Sequence, residues 1–249
     1  QKQQMYLCYQ PLIDVKTEKM SGIEALIRWT HPVKGLINPV DFISLAEESK
    51  LIIPIGEWVF RSAVNQLKEW HKNGLKNFRV SINVSSVQLQ DPNFALTVSK
   101  ILKESGTHPN DIGIEITESA FIEKMDILLN NLADLRRQGI KIYIDDYGTG
   151  FNSLNYIKNF SVDYIKIDKS FIDIDKKVNR NIIQHIISLG HSINTEIVAE
   201  GVETKEQYEY LKEVGCDIIQ GYYISKPLLA EDVGKFIKEN ISRINITRN

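Results

Sequence analysis

Polar and charged side chains recur in this 249-residue sequence at one kind of place, the residue that ends or interrupts a short apolar run. Glu24, Asn83, Glu115, the adjacent Asp145 and Asp146, Lys166 with Asp168, Glu200 and Gln220 all stand there. Any one of them could be a helix N-cap or a core polar group with a local partner. That nearly every apolar run supplies one is harder to explain as capping, because burying such a group without a partner is costly. Carboxylates converging on one rim repel each other unless protons or cations intervene. Glu, Asp and Asn offer hard oxygen donors, which suit Mg2+ or Mn2+. Adjacent aspartates suit the bridging of two cations, and two metals about 3.5–4 Å apart are the recurring device for in-line attack on phosphorus. Lys166 adds a positive charge able to hold a nucleophilic water or a phosphate oxygen. Tyr147-Gly148-Thr149-Gly150 follows the aspartates, readable as a tight turn or as a mobile active-site loop. Zinc of the H-E-x-x-H type is disfavoured: His185 and His191 stand six apart, on different faces of a helix.

These residues need a scaffold that gathers distant positions. β-rich runs at 6–9, 22–27, 78–84, 112–116, 140–144, 162–167, 196–199 and 216–219 alternate with segments of helical period. Val59, Ala63, Leu67 and Trp70 mark one helix, stopped near Gly74. Asp91-Pro92 is read as the cap and first-turn proline of a second, running through Leu102. Leu128, Leu132 and Leu135 mark a third, and a capping box at Thr204 and Gln207 opens another. About eight strand–helix units predict a mostly parallel sheet, with a closed (β/α)8-type barrel preferred to an open doubly wound sheet. In either arrangement the working residues gather at the carboxyl ends of the strands. No G-x-G-x-x-G or P-loop motif is present to support a nucleotide fold of those kinds.

The bulk composition agrees with one domain over residues 1–249. Hydrophobic residues make up 43% and charged residues 25%, enough for a sizeable core. Lys+Arg 30 against Asp+Glu 32 leaves a net charge of -2, without the basic excess of a protein that tracks polymeric nucleic acid. The two cysteines, Cys8 and Cys216, lie in apolar stretches and are read as buried free thiols, in keeping with a reducing compartment. There is no signal-peptide h-region and no apolar run long enough to span a bilayer. These features predict a cytoplasmic domain without membrane contact of its own. A start at Gln1 is read as a domain cut from a longer multidomain polypeptide, which could carry regulatory domains or a membrane anchor.

Taken together, the motifs resemble the EAL family of cyclic di-GMP phosphodiesterases over nearly the whole chain. Glu24-Ala25-Leu26 spells the family name, within Glu24-Ala25-Leu26-Ile27-Arg28-Trp29. Its companions follow in order: Tyr9-Gln10-Pro11, Asn83-Val84-Ser85, Glu115-Ile116-Thr117-Glu118, Asp145-Asp146-Tyr147-Gly148-Thr149-Gly150, Lys166-Ile167-Asp168, Glu200-Gly201-Val202-Glu203 and Gln220-Gly221-Tyr222. The resemblance implies a modified TIM-type α/β barrel with one antiparallel strand, usually dimeric. It implies metal ligation by Glu24, Asn83, Glu115, Asp145 and Asp146, and positioning of the attacking water by Lys166 and Glu200, with Gln220 a further active-site group. Gln10, Leu26, Arg28, Asp168 and Tyr222 match substrate contacts. Glu118 matches a carboxylate that steadies the loop of Gly148, Thr149 and Gly150 and, with Glu203, links it to the dimer. The implied reaction is two-metal hydrolysis of cyclic di-GMP to linear pGpG, with Mg2+ or Mn2+ as cofactor and Ca2+ inhibitory; a silent cyclic di-GMP receptor or a partner-binding scaffold are the other readings. Tyr147 stands where the family usually has phenylalanine, and Phe160-Ser161 where Leu-Pro is common.

Overall fold

Side chains alternate across a strand, and here the two faces separate into two cores. Isoleucines and valines such as Val80, Ile82, Ile112, Ile114, Ile142, Ile165 and Ile197 face out to the helices. Leu12, Tyr143, Tyr164, Val198 and Ile218 form a second, smaller cluster of their own. A sheet with apolar residues on both faces must be covered on one side and closed on itself on the other.

The computed structural model describes residues 4–122, 125–149 and 162–246. Among them, β1 (Met5–Asp14), β2 (Met20–His31), β3 (Gly35–Ile37), β4 (Arg79–Asn83), β5 (Ile112–Thr117), β6 (Lys141–Tyr147), β7 (Tyr164–Ile167), β8 (Glu196–Ala199) and β9 (Ile218–Ile219) form one sheet. Its order is β1-β9-β8-β7-β6-β5-β4-β2-β3, and a β1–β2 pairing closes eight strands into a ring with β3 on its edge. β1 is antiparallel to both β2 and β9, whereas the pairs from β2 through β4 to β9 are parallel. The fold is therefore the modified barrel expected. The reversed strand has a local cause: Asp14 Oδ1 accepts from Thr17 N at 2.6 Å in a short turn, and a short turn can join only antiparallel strands.

The helices are α1 (Pro39–Glu48), α2 (Ile52–Lys72), α3 (Ser86–Leu89), α4 (Phe94–Ser105), α5 (Met125–Arg137), α6 (Lys177–Ser192), α7 (Lys205–Glu213) and α8 (Ala230–Ile246). Several sequence expectations need correction. β2 does not end near Glu24 or Ile27 but runs to His31, where it pairs with β3. Neither β3 nor α1 was anticipated, although Asn38 caps α1 and Pro39 occupies its first turn. Asp91-Pro92 does not open a helix: Asp91 Oδ1 accepts from Asn93 N, making a turn, and α4 starts at Phe94. Cys216 is buried but Cys8 is only half-buried; both are free thiols. The capping box at Thr204 and Gln207 forms as read.

The inner cluster is a plug. Tyr143 and Tyr164 stack with ring centroids 4.2 Å apart, and Arg79 Nη1 donates to Tyr164 Oη at 2.8 Å beneath them. Gly113 makes room for this: a Cβ there would lie 2.6 Å from the Tyr143 ring. Among the described residues no helix is long and apolar enough to cross a membrane.

Candidate active site

The plug sets the floor, and the strand period sets what stands on it. Two residues beyond Tyr143, Tyr164, Val198 and Ile218 come Asp145, Lys166, Glu200 and Gln220. Gln10 stands two residues before Leu12 on the reversed strand, opposite Glu24 in the β1–β2 register. Asn83 and Glu115 are paired across β4 and β5. One layer of the barrel interior, at the carboxyl ends of its parallel strands, is thus almost wholly polar.

Lys166 lies at the centre and is 0% exposed. Its Nζ contacts Glu115 Oε2 directly, lies 2.5 Å from Glu200 Oε1, 3.3 Å from Asp145 Oδ1 and 3.5 Å from Glu24 Oε2. Burial alone would lower its pKa, but the surrounding carboxylates hold it well above the ordinary lysine value. Glu24 is anchored from two sides, accepting from Asn83 Nδ2 and from Gln220 Nε2, both at 2.6 Å. Gln220 also donates to Gln10 Oε1, and Gln10 Nε2 donates to the Ser225 carbonyl. Burial pushes the Glu24 carboxyl up, yet Lys166 and these donors bring it below the usual glutamate value.

The other carboxyls shift upward. Burial, the Glu24 and Asp145 charges, set against the pull of Lys166, hold Glu115 well above the usual range. Asp145 is raised by burial and by Glu24 despite Lys166. Glu200 is pushed up to about 8, by burial first and then by Asp145 and Glu24 against the pull of Lys166. Asp146 rises to about 6 through burial and the Asp145 and Asp168 charges. Five carboxyls facing one ammonium cannot all be ionised without another cation.

The residues fit divalent cations. Asp145, Asp146 and Glu200 each offer an oxygen, and the three atoms lie within 4.8 Å of one another. Glu115 Oε1 is buried with no hydrogen-bond partner. A fully buried acceptor left unpaired is uncommon and calls for an explanation, which a bound cation would supply. All the donors are hard oxygens, and no thiol takes part. The raised carboxyls give the sign of the pH dependence. In the metal-free chain, deprotonating Glu200 and Asp146 disfavours the fold. Stability therefore falls as pH rises from about 4, near their unfolded values, through about 6 and about 8. A bound cation must displace these protons. Mn2+ affinity should rise between pH 6 and 8.5, with proton release visible by calorimetry in buffers of different ionisation enthalpy; an affinity flat across that range would contradict this assignment.

Around this core the other anticipated residues divide. Asp146 takes a positive φ of 53°, and Gly148 N donates to the buried Glu118 Oε2 at 3.0 Å. Thr149 Oγ1 donates to the Asp146 carbonyl, closing the turn. Gly150 lies outside the described residues. Asp168 caps the turn after β7, accepting from Ser170 N at 2.9 Å, and its charge helps to raise Asp146. Glu203 and Tyr222 are exposed. Leu26 and Arg28 line a groove of about 500 Å³ that also reaches Asn83 and Glu115. Sequence reading missed Glu47, in α1 on the wall of the same groove, where its Oε1 accepts from Ser85 Oγ at 2.6 Å. The Asn-Pro start of α1 was the signal that could have placed it.

Gly221 holds Gln220 in place by close approach. A Cβ there would lie 2.2 Å from the backbone N and O of Val202, which bond to Gln220 and Tyr223. Gly221→Ala should therefore destabilise the chain by about 1–3 kcal/mol in denaturant titrations, since backbone cannot yield as a side chain end can. An unchanged midpoint would show that the segment shifts freely.

Known proteins place this geometry in context. A family model described as EAL domain matches residues 1–227. The bifunctional diguanylate cyclase/cyclic di-GMP phosphodiesterase MucR of Pseudomonas aeruginosa is 37% identical over 235 residues, covering 94% of this chain and 34% of that protein. The cyclic di-GMP phosphodiesterase PdeR of Escherichia coli is 36% identical over 242 residues, 96% of this chain and 36% of that one. The chain thus spans about a third of the length of these relatives. The solved PaMucR phosphodiesterase, a complex with c-di-GMP, superposes with a TM-score of 0.89 at 37% identity, covering 93% of this chain and 95% of that one. The FimX EAL domain from Pseudomonas aeruginosa, bound to c-di-GMP, gives a TM-score of 0.83 at 25% identity, covering 90% and 91%.

Proposed function

Because this chain belongs to the EAL domain family, we propose that its acidic barrel mouth is a two-cation phosphodiesterase site that opens one phosphodiester of cyclic di-GMP to give linear pGpG. The observation that carries this reading is Lys166, fully buried and ringed by Glu24, Glu115, Asp145 and Glu200 beside the Asp145–Asp146–Glu200 oxygens. Glu24, Asn83, Glu115, Asp145 and Asp146 are the ligands for Mg2+ or Mn2+. When bound, such ions polarise the phosphoryl oxygens and make water a stronger nucleophile.

The rest is done by the chain's own groups. Lys166 Nζ, held 2.5 Å from Glu200 Oε1, orients the attacking water and neutralises the charge gathering on the phosphate. Glu200, whose proton a bound cation would displace, takes the water's proton. Asn83 and Gln220 hold Glu24 rigid, so the ligand set is preorganised. Gln10, Leu26, Arg28, Asp168 and Tyr222 receive the substrate, the Arg28 fork facing a phosphate. The plug of Tyr143 and Tyr164 closes the floor against water. Glu118 fixes the Asp146–Thr149 turn through Gly148, and we assign it, with Gly150 and Glu203, to the coupling of that loop to a homodimer. The length of the relatives supports reading the chain as one EAL unit of a larger protein with regulatory domains.

The test is to incubate the protein with cyclic di-GMP in Mg2+, Mn2+ or Ca2+. Mg2+ and Mn2+ should give pGpG, whereas Ca2+, with looser coordination, should support binding with little turnover. Binding without pGpG in every metal would leave a receptor in place of an enzyme.

A further inference from the structure

The groove that leaves Asn83 and Glu115 has one carboxylate that none of the proposed chemistry uses. Glu47 sits in the last turn of α1, a turn without a basic residue, where an anion opposes the helix dipole. Its placement therefore does not serve the helix. Among the described residues the only hydrogen bond of its carboxylate is the one accepted from Ser85 Oγ, and it forms no ion pair. That bond fixes the carboxylate's direction from the opposite wall, where Ser85 caps α3. Pro39, Ile43, Ile52 and Ile55 line the groove beside it. The combination is a slot with an apolar wall and, at its edge, a carboxylate that can only accept, joined to Asn83 and Glu115 through one continuous cavity.

A flat heterocycle with apolar faces and adjacent donors on one edge fits such a slot. Guanine presents N1–H and N2–H2 side by side, and an ionised carboxylate can accept both. Adenine sets the N1 lone pair beside its amino group, so the same carboxylate meets a lone pair and repels it. We infer that Glu47 is a specificity-determining residue that selects guanine over adenine in one base of the substrate. The inference rests on the cyclic-dinucleotide reading of the site but not on turnover.

The experiment compares equilibrium binding of cyclic di-GMP and cyclic di-AMP in Ca2+, and kcat/KM for both in Mn2+, between the wild type and Glu47→Gln. The isosteric amide keeps an oxygen for Ser85, and it offers adenine a donor and an acceptor together. The preference for guanine should fall roughly 10- to 100-fold, with cyclic di-AMP binding more tightly than to the wild type. Ser85→Ala, which frees the carboxylate and also removes the α3 cap, should lower the ratio less and serves if Glu47→Gln does not fold. An unchanged ratio in a folded variant, or a wild type without preference, overturns the assignment. A wild type that binds cyclic di-GMP selectively without cleaving it would instead defeat the phosphodiesterase reading and leave Glu47 supported.

Discussion

Replacing Lys166 with methionine should lower kcat for cyclic di-GMP at least about a thousandfold while changing KM far less. The side chain is 0% exposed and its ammonium touches four carboxylates, so it has no room to act at a distance as a surface charge would. A group that orients the nucleophile works mainly in the transition state, and its removal appears in kcat more than in KM. Loss of one aimed donor of this kind costs about 10²–10³ in kcat; here the same group also offsets the charge of Glu24, Glu115, Asp145 and Glu200. The second consequence concerns stability. Removing the cation leaves buried carboxylates uncompensated, a change that typically costs about 3–5 kcal/mol, unless they take up protons. The metal-free variant should therefore melt well below the wild type at pH 8 and approach it at pH 5. Added Mn2+ should restore much of the difference. A variant with normal kcat and lost binding would place Lys166 on the substrate rather than on the water.

Glu115→Gln should weaken divalent-cation binding by about two orders of magnitude or more and leave no measurable turnover at millimolar Mg2+. The argument turns on its two oxygens. Oε2 contacts Lys166, a bond that an amide oxygen preserves, whereas Oε1 is buried with no partner. An amide nitrogen at that point cannot ligate a cation. The direction of the stability change separates this variant from a simple folding defect. Glu115 is held well above the usual carboxyl range by burial and by Glu24 and Asp145, so its ionised form strains the metal-free chain. Near neutral pH the amide should thus melt at or above the wild type without metal, and gain little when metal is added. Unaltered Mn2+ affinity would remove Glu115 from the ligand set.

Much of this site is legible in the sequence because it obeys the period of a strand. Asp145, Lys166, Glu200 and Gln220 follow the inward-facing plug residues by two, so each appears in sequence as a polar residue after an apolar run. The antiparallel β1 came from the family resemblance alone; the hairpin that explains it, with Asp14 bonding to Thr17, was not singled out. What escaped was whatever depends on contacts across the chain. β2 continues seven residues past Glu24 to make an edge hairpin that no barrel pattern requires. Glu47 lies on a helix whose exposed face, with Val40 and Leu45 open to solvent, blurs its amphipathic period. Asp91 looked like a helix cap but spends its carboxylate on a preceding turn, a competition that residue type cannot decide. Spacing also cannot show that Lys166 is buried amid the carboxylates rather than beside them, and the proposed chemistry depends on that burial.

On the reading proposed above, this acidic ring works by holding divalent cations against a phosphodiester. Its most direct test is the initial rate of pGpG formation from cyclic di-GMP, measured against free Mn2+ after complete removal of metal by chelation. The chelated protein should form no product, and activity should recover saturably as two Mn2+ bind per chain, a recovery lost in Glu115→Gln. Product formed in excess chelator, or cyclic di-GMP and two Mn2+ bound together with no pGpG, would contradict it.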